Sequence, residues 1–241
     1  MLARARAIYL QSKKRNDNFW TEWISRPPAA LLLVLLEQTR LTPNQVSFLA
    51  IGTAAGGAVL LVAWRDWAGL LCAGLVLQLA YVVDCADGQL ARLTGRASPV
   101  GALLDFTLDE LKAFLVLAAA AVRLWLETGS DRYLLIGLLG LLAASSGITL
   151  TSFMRQPEFL QATGAPPLLP ATERGGHAPR SLSPLALAEA LGRYALHYPS
   201  WFLFVCLFDR LEIFLYAYSA AHVLHLCRSS LTVLLKLGLR S

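Results

Sequence analysis

Charged side chains are scarce in this sequence. Of its 241 residues only 15% are charged, whereas 56% are hydrophobic, and the mean hydropathy is positive. This balance departs from that of a soluble globular domain. Apolar stretches of about 20 residues recur along the chain, and a helix of that length crosses about 30 Å of hydrocarbon. The composition therefore indicates an all-α, polytopic membrane protein whose main partner is the lipid bilayer.

Three other patterns are missing, and each absence argues against a class of protein. The four cysteines form no CxxC pair, so neither a zinc site nor a disulfide framework is indicated. The basic residues lie in short connections beside apolar stretches and not along one exposed face, so the net charge of +5 does not indicate a nucleic-acid partner. No internal repeat is visible, whereas transporters commonly hold their sites between repeated halves.

The apolar stretches predict six membrane-spanning helices. Their approximate ranges are 44–64, 67–92, 100–122, 133–154, 186–208 and 211–235. Ahead of them, Trp20 to Arg40 holds an apolar run that is too short to span and aromatic residues that suit the headgroup level. We expect an interfacial amphipathic helix in this segment, with Pro27 and Pro28 at its start.

Basic residues are distributed unevenly between the two sides of this arrangement. Most lie ahead of the first span, between the second and third, between the fourth and fifth, and after the sixth. The opposite connections hold only Arg65, Arg123, Arg132 and Arg210. Because Lys and Arg are retained in the cytoplasm, we expect a multi-pass protein of the cell (inner) membrane with both termini and its active site cytoplasmic.

A single membrane domain is expected over 1–241. It would comprise a cytoplasmic or interfacial segment over 1–40, a six-helix core over 41–237 and, within the core, a proline-rich cytoplasmic loop over 156–183.

Four acidic residues lie at the facing ends of the second and third predicted spans. Asp84 and Asp87 end one span, and Asp105 and Asp109 begin the other. Ionisable groups inside a membrane cost about 2.5–3.5 kcal/mol each on insertion scales, which points to a function. The spacings put each pair on one helical face, and a short connection around 95–99 lets all four carboxylates converge. Hard cations such as Mg²⁺ or Mn²⁺ take oxygen ligands, and two of them would clamp a diphosphate.

The residues around the acids suit a bulky phosphate-bearing ligand. Gly88 lets the backbone approach such a ligand without a side chain in the way, Ala91 keeps the same face thin, and Gly101 does for the third span what Gly88 does for the second. Arg92 supplies a donor fork suited to phosphate, although it also suits a cytoplasmic anchor.

Together these residues fill the pattern D-x2-D-G-x2-A-R-x8-G-x3-D-x3-D. The pattern resembles, at every specified position, the motif of the CDP-alcohol phosphotransferases, and the segment 41–47 resembles the opening of that family's first membrane helix. The resemblance implies the family's fold over almost the whole chain and a homodimer. It also implies transfer of a phospho-alcohol (phosphatidyl) group from CDP-diacylglycerol or another CDP-linked donor to an acceptor alcohol in phospholipid biosynthesis, with release of CMP.

The resemblance also implies a role for each residue. Asp84, Asp87 and Asp105 would hold one divalent cation, and Asp109 would join Asp84 and Asp87 at a second, with the ions being Mg²⁺ or Mn²⁺. Asp109 would also be the general base that takes the proton from the acceptor hydroxyl. CDP contacts are expected from Asn44, Ser47, Asp87, Gly88, Ala91, Arg92, Ser98 and Gly101.

The acceptor side stays open at this point. Where many relatives place a Lys directly after the last acid, this chain has Glu110, and Lys112 follows three positions after Asp109. Lys112 either neutralises a neighbouring acid or binds the acceptor, and Arg228 either meets an acceptor phosphate or extends to lipid headgroups. His197, His222 and His225 in the last two spans are weaker candidates. Inositol phosphate, glycerol phosphate, serine, choline and ethanolamine are all possible acceptors.

Two alternative functions remain. An intramembrane prenyltransferase also binds diphosphate through Asp and Mg²⁺, but such enzymes place their acidic motifs on distant helices. A divalent-cation transporter or a non-catalytic membrane protein would belong to a different class, but the acids lie at a helix end and not near the midplane.

Overall fold

The computed structural model of the chain describes residues 1–12, 18–36, 39–164 and 191–238, which are mostly helical and contain no strand. The helices, in chain order, are α1 Leu2–Gln11, α2 Arg26–Leu36, α3 Pro43–Ala63, α4 Trp67–Leu93, α5 Pro99–Thr128, α6 Arg132–Phe153, α7 Pro157–Thr163, α8 as far as it is described at 191–196, α9 Phe202–Leu207 and α10 Leu211–Gly238. A π-helical turn, Thr21–Ser25, leads into α2, and a 3₁₀ turn, Tyr198–Ser200, precedes α9.

Three helices, α3, α4 and α6, are long and apolar enough to cross a membrane, judged by length and composition alone. The helices α5 and α10 are longer than α6, with 30 and 28 residues, but they carry more charged or polar side chains. The all-α prediction is confirmed for the described residues. Crossing by six helices stays a prediction.

Side-chain caps fix where α3 and α4 begin. Thr42 and Gln45 form a capping box at the start of α3, and the Asp66 carboxylate accepts a 2.7 Å bond from the Gly69 amide at the start of α4. This amide lowers the pKa of Asp66. Because such caps satisfy amides that have no partner within the helix, the observed starts lie at or next to the predicted ones.

The long helices pack into two apolar clusters that continue into one another along α3 and α4. One cluster joins these two helices to α5, α6, α9 and α10, and the other joins them to α1 and α2. Close approach of α6 depends on two glycines. A Cβ at Gly137 would overlap Ala121 of α5, and a Cβ at Gly140 would overlap Ser219 of α10. These two glycines therefore serve close helix contacts.

The prediction of one continuous helix over 186–208 is wrong. Helical geometry stops at residue 196 and resumes at Phe202, while residues 186–190 lie outside the described part of the chain. Pro199 cannot donate a backbone hydrogen bond to residue 195. The carbonyl of Ala195 instead accepts a 3.2 Å bond from the Trp201 indole, and the break carries His197 inward.

Two further expectations need correction. Helical backbone begins at Phe19 and runs through the π-helical turn into α2, so Pro27 and Pro28 follow the start instead of forming it. The wider turn is compatible with prolines, which lack the amide donor. Part of the predicted 156–183 loop is the short helix α7, which begins at Pro157 and ends at Gly164 with φ 59°. Residues 165–183 of that loop lie outside the described residues.

A buried arginine holds the α3–α4 connection at the end of the molecule away from the acids. The predicted end of the third span, residue 122, was too early, because α5 continues to Thr128 and carries Arg123 inside it, 2% exposed. The Arg123 guanidinium donates four hydrogen bonds of 2.7–3.1 Å to the backbone carbonyls of Leu61, Trp64, Arg65 and Asp66. Its Nε lies 2.7 Å from Glu127 Oε1. The Leu61 carbonyl in the last turn of α3 and three carbonyls of the connection to α4 are thereby satisfied.

We predict that Arg123→Met destabilises the protein by about 2–5 kcal/mol, because it leaves partly buried carbonyls and Glu127 without their cationic partner. Thermal unfolding in detergent measures the effect. Arg210→Met is the matched control, since Arg210 is exposed and lies 3.6 Å from Glu212 only at the surface. Equal melting temperatures for the two variants would contradict the role assigned to Arg123.

Candidate active site

The four predicted acids converge where α4 ends and α5 begins. Carboxylate oxygens of Asp84, Asp105 and Asp109 lie within 4.8 Å of one another. Asp87, one turn after Asp84, accepts a hydrogen bond from the Ser47 hydroxyl of α3 and lines the same cavity. Oxygen donors gathered this closely fit a hard divalent cation. The residues present therefore suit the metal ions that the motif implies.

The α4–α5 connection brings these acids together. Gly95 adopts φ 66°, a left-handed conformation that favours glycine, and the chain turns back within five residues, 94–98. Ser98 then begins α5, because its hydroxyl accepts a 3.0 Å bond from the Gly101 amide. This cap sets the start of α5 about two turns ahead of Asp105. The predicted short, antiparallel return is confirmed.

One cavity of about 390 Å³ holds the predicted metal and CDP residues together. Its walls include Asn44, Ser47, Asp84, Asp87, Gly88, Ala91, Arg92, Ser98, Gly101, Asp105 and Asp109. They come from the first turns of α3, the last turns of α4 and the first turns of α5. Residues whose roles the family resemblance implied thus line one space beside the acids.

The Arg92 side chain forms part of the cavity wall beside Gly88. A Cβ at Gly88 would lie 3.3 Å from Arg92 Nη1, so the glycine leaves room for the guanidinium. Arg92 Nε donates a 2.9 Å bond to the carbonyl of Ser12, the residue that ends α1. Arg92 is therefore both a cavity residue and an anchor for α1.

Several cavity residues were missed in the sequence. Arg26 is 4% exposed, lines the cavity and donates a 3.4 Å bond to the same Ser12 carbonyl. Thr21, Tyr81 and Arg96 line it as well. Arg26 and Arg96 were visible only as positive charges near predicted helix ends. Their convergence depends on how α2 packs against α4, which no local pattern indicates.

Lys112 lies beneath the acids. It is 2% exposed, and its ammonium pairs with Asp84 and, at 2.8 Å, with Asp109. Neither Lys112 nor Arg228 is among the described residues that line the cavities beside Asp109. The assignment of these two residues to the acceptor is therefore not supported by their positions, and for Lys112 the pairing alternative is the one observed.

A second cavity of about 340 Å³ lies on the other side of Asp109. Asp109 and Tyr81 line both cavities. The Tyr81 hydroxyl lies 2.5 Å from Thr21 Oγ1 and 2.8 Å from His197 Nε2, so it ties the π-helical turn to the break before α9. The carboxylate predicted to be the base thus stands at the boundary between two spaces.

Polar groups from α5, α6 and α10 face this second cavity. Glu110, Arg155, His222 and His225 line it, and Arg155 is the one lysine or arginine among its described lining residues. His222 is 7% exposed, and neither of its ring nitrogens has a hydrogen-bond partner within the described ranges; the same holds for Arg155 Nε. Buried polar groups normally have partners, so this cavity offers unused hydrogen-bonding capacity to a ligand.

Comparison with known proteins agrees with the motif. The profile of the CDP-alcohol phosphatidyltransferase family matches residues 40–172, which is more than half of the sequence. The chain belongs to the CDP-alcohol phosphatidyltransferase family. This family is membrane-bound and depends on divalent metal ions.

Curated relatives share a shorter stretch. A bifunctional IPC transferase and DIPP synthase of Rubrobacter xylanophilus is 39% identical over 107 residues, which is 44% of this chain and 24% of that protein. An archaetidylinositol phosphate synthase of Aeropyrum pernix is 31% identical over 31% of this chain and 43% of its own length. A phosphatidylinositol phosphate synthase of Corynebacterium glutamicum is 33% identical over 35% of this chain and 36% of its own length. Each alignment spans less than half of the relative.

A solved structure extends the likeness in fold. The apo crystal structure of Mycobacterium tuberculosis phosphatidylinositol phosphate synthase superposes with a TM-score of 0.53. The superposition covers 85% of this chain and 95% of that one at 20% identity. The two chains therefore share a fold.

We predict that Ser98→Ala lowers stability by about 1 kcal/mol, because α5 loses the side chain that caps its start. Ser98→Asp should remain close to the unmodified protein, since aspartate caps as well as serine does. Thermal unfolding of the three proteins in one detergent checks both results. An alanine variant as stable as the parent would show that the cap does not hold the start of α5.

Proposed function

We propose that this chain transfers a phosphatidyl or related phospho-alcohol group from a CDP-linked donor to an acceptor alcohol and releases CMP. The observation that carries the proposal is the meeting of two cavities at Asp109. One contains the complete family motif, and the other contains polar groups that have no hydrogen-bond partner in the described part of the chain. A donor and an acceptor that meet at a carboxylate are what this reaction needs.

The acids would hold the divalent ions of the family. Asp84, Asp87, Asp105 and Asp109 are the proposed ligands, in the two sets that the motif implies, with Mg²⁺ or Mn²⁺ as the ions. When bound, the ions would offset the charge of the diphosphate and of the departing CMP. Ser47 orients Asp87 through its hydroxyl, and Lys112 holds Asp84 and Asp109 on one side.

The donor would lie in the larger cavity. Gly88 and Gly101 line it without side chains of their own, and Arg92 presents its outer guanidinium nitrogens beside Gly88. Because Nε is occupied by the Ser12 carbonyl, the guanidinium is fixed in orientation. A fixed fork binds phosphate with less loss of side-chain freedom than a mobile lysine.

The acceptor hydroxyl would reach Asp109 from the second cavity. Asp109 takes the hydroxyl proton as the acceptor oxygen forms its bond to the β-phosphorus of the donor, and the bond from that phosphorus to the oxygen of CMP breaks. Tyr81 lies at the same boundary, with its hydroxyl between Thr21 and His197. It would close the gap between the two cavities and limit access of water to the reacting phosphate.

A phosphorylated inositol is the first acceptor to test. The names of the Corynebacterium and Aeropyrum relatives both contain inositol phosphate. In this chain Arg155 offers a cation to a phosphate, and His222 offers to hydroxyls two ring nitrogens that no described residue engages. The cytoplasmic orientation of the site and a homodimer, expected from the basic residues and from the family resemblance, are part of the same proposal.

We predict that Asp109→Asn lowers the rate of CMP release by about 10²- to 10⁴-fold, the usual contribution of a general base. Donor binding should persist, because the other acids and Arg92 remain. The assay follows CMP from CDP-diacylglycerol and inositol phosphate with Mg²⁺ or Mn²⁺ in detergent. Glu158→Gln, an exposed change in α7, should behave as the parent does.

Three results of this assay would reject the proposal. They are a fully active Asp109→Asn variant, activity that survives chelation of the metal, and turnover of a prenyl diphosphate in place of the CDP donor. Metal flux into proteoliposomes without CMP release would instead favour the hypothesis of a divalent-cation transporter.

We predict that Arg155→Met raises the KM for a phosphorylated acceptor by about 10- to 100-fold, the loss expected for a hydrogen bond to a charged group. The KM for the donor should change little, because Arg155 lines the second cavity and not the first. Steady-state kinetics with each substrate varied in turn separates these effects. Arg132→Met, at the opposite end of α6, is the matched control. An unchanged acceptor KM would place the acceptor phosphate elsewhere.

A further inference from the structure

Lys112 occupies an unusual position for a lysine. It is 2% exposed in the middle of a helix, one turn deeper than Asp109, and its ammonium contacts Asp84 of α4 as well as Asp109 of its own helix. A buried lysine normally needs such partners, because an ammonium loses its hydration when it is buried. The partners it has here are two of the three acids whose oxygens cluster within 4.8 Å.

We propose that Lys112 is a built-in counter-cation that competes with the divalent ion for Asp84 and Asp109 and thereby sets the metal affinity of the site. The inference rests on the proposed metal role of the acids. Asp84, Asp105 and Asp109 repel one another when no cation lies between them. The ammonium joins α4 to α5 across this repulsion and holds two of the ligands close together in the absence of metal.

Competition follows from charge and distance. A divalent ion bound to Asp84 and Asp109 would lie only a few ångströms from the ammonium, and like charges at such separations repel strongly where little water is present. The Lys112 positive charge therefore lowers metal affinity while it stabilises the metal-free protein. These two effects have opposite signs, so a neutral replacement separates them.

Among the described residues, the ion pairs of Lys112 go to the proposed metal ligands Asp84 and Asp109. Glu110 faces the second cavity, and Lys112 makes no ion pair with it among the described residues. Arg26, Arg92 and Arg96 line the donor cavity and face the space where a diphosphate would lie. Lys112 is thus the cation placed under the ligands, whereas the arginines lie around the ligand space.

The test compares the parent with Lys112→Met and Lys112→Arg, each purified in Mn²⁺ and then stripped with chelator. Free Mn²⁺, counted by electron paramagnetic resonance during titration without nucleotide, gives the dissociation constant. We expect Lys112→Met, similar in length but neutral, to bind Mn²⁺ tighter by a factor on the order of ten or more. Lys112→Arg keeps the charge and should stay near the parent.

Thermal unfolding provides the second measurement. Metal-free Lys112→Met should melt below the metal-free parent, and Mn²⁺ should raise its melting temperature by more than it raises that of the parent. If the stripped variant does not stay folded, the same comparison is made by lowering Mn²⁺ stepwise from saturation. Loss of the fold at an Mn²⁺ concentration at which the parent persists supports the proposal.

The outcomes separate this inference from the proposed function. Equal or weaker Mn²⁺ binding by Lys112→Met, in a parent that does bind Mn²⁺, overturns the role of Lys112 and leaves the metal site intact. If Lys112→Arg binds Mn²⁺ more tightly than the parent does, the role is overturned as well, because the positive charge would then not be what lowers the metal affinity. If neither the parent nor Lys112→Met binds Mn²⁺, both the inference and the metal role in the proposed function fail.

Discussion

Repulsion among carboxylates governs the architecture around the site. Asp84, Asp87, Asp105 and Asp109 approach one another where α4 ends and α5 begins, and Asp84 and Asp87 are buried, so that their charges are poorly screened. Several neighbouring side chains offset this repulsion. Ser47 donates to Asp87, and Lys112 pairs with Asp84 and Asp109. Capping groups and a left-handed glycine hold the two helix ends in register. The gathered carboxylates then fit a hard divalent cation.

Buried or partly buried arginines have different roles at the two ends of the helical core. At one end Arg123 is buried to satisfy the carbonyls that end α3 and begin the turn into α4. At the other end Arg92 and Arg26 both donate to the Ser12 carbonyl, and both line the larger cavity. The first arrangement fixes the helices relative to one another. The second places positive charge where a diphosphate would bind.

Local sequence signals predicted the residues of the larger cavity better than those of the second one, for which the sequence offered His197, His222 and His225 only as weaker candidates. Motif spacing places Asp84, Asp87, Asp105 and Asp109 on two helix faces, and the residues beside Gly95 force the return that unites them. The second cavity instead assembles Tyr81, Arg155, His197 and His222 from separate parts of the chain. Its shape depends on the break before α9 and on how α6 packs against α10. Both depend on tertiary packing, which the hydrophobic periodicity of the sequence does not indicate. The ion-pair partners of Lys112 were equally hidden. Spacing along the helix allowed a pair with Asp109 or Glu110 on α5 and gave no sign of Asp84 on α4.

The central claim is that these carboxylates hold divalent ions against a CDP diphosphate. Anomalous diffraction at the manganese edge, from crystals grown with Mn²⁺ and CDP, tests it directly. The account predicts manganese peaks between the carboxylates of α4 and α5, with the diphosphate in the larger cavity beside Arg92. Diphosphate density there without manganese, or manganese bound away from these acids, would contradict it.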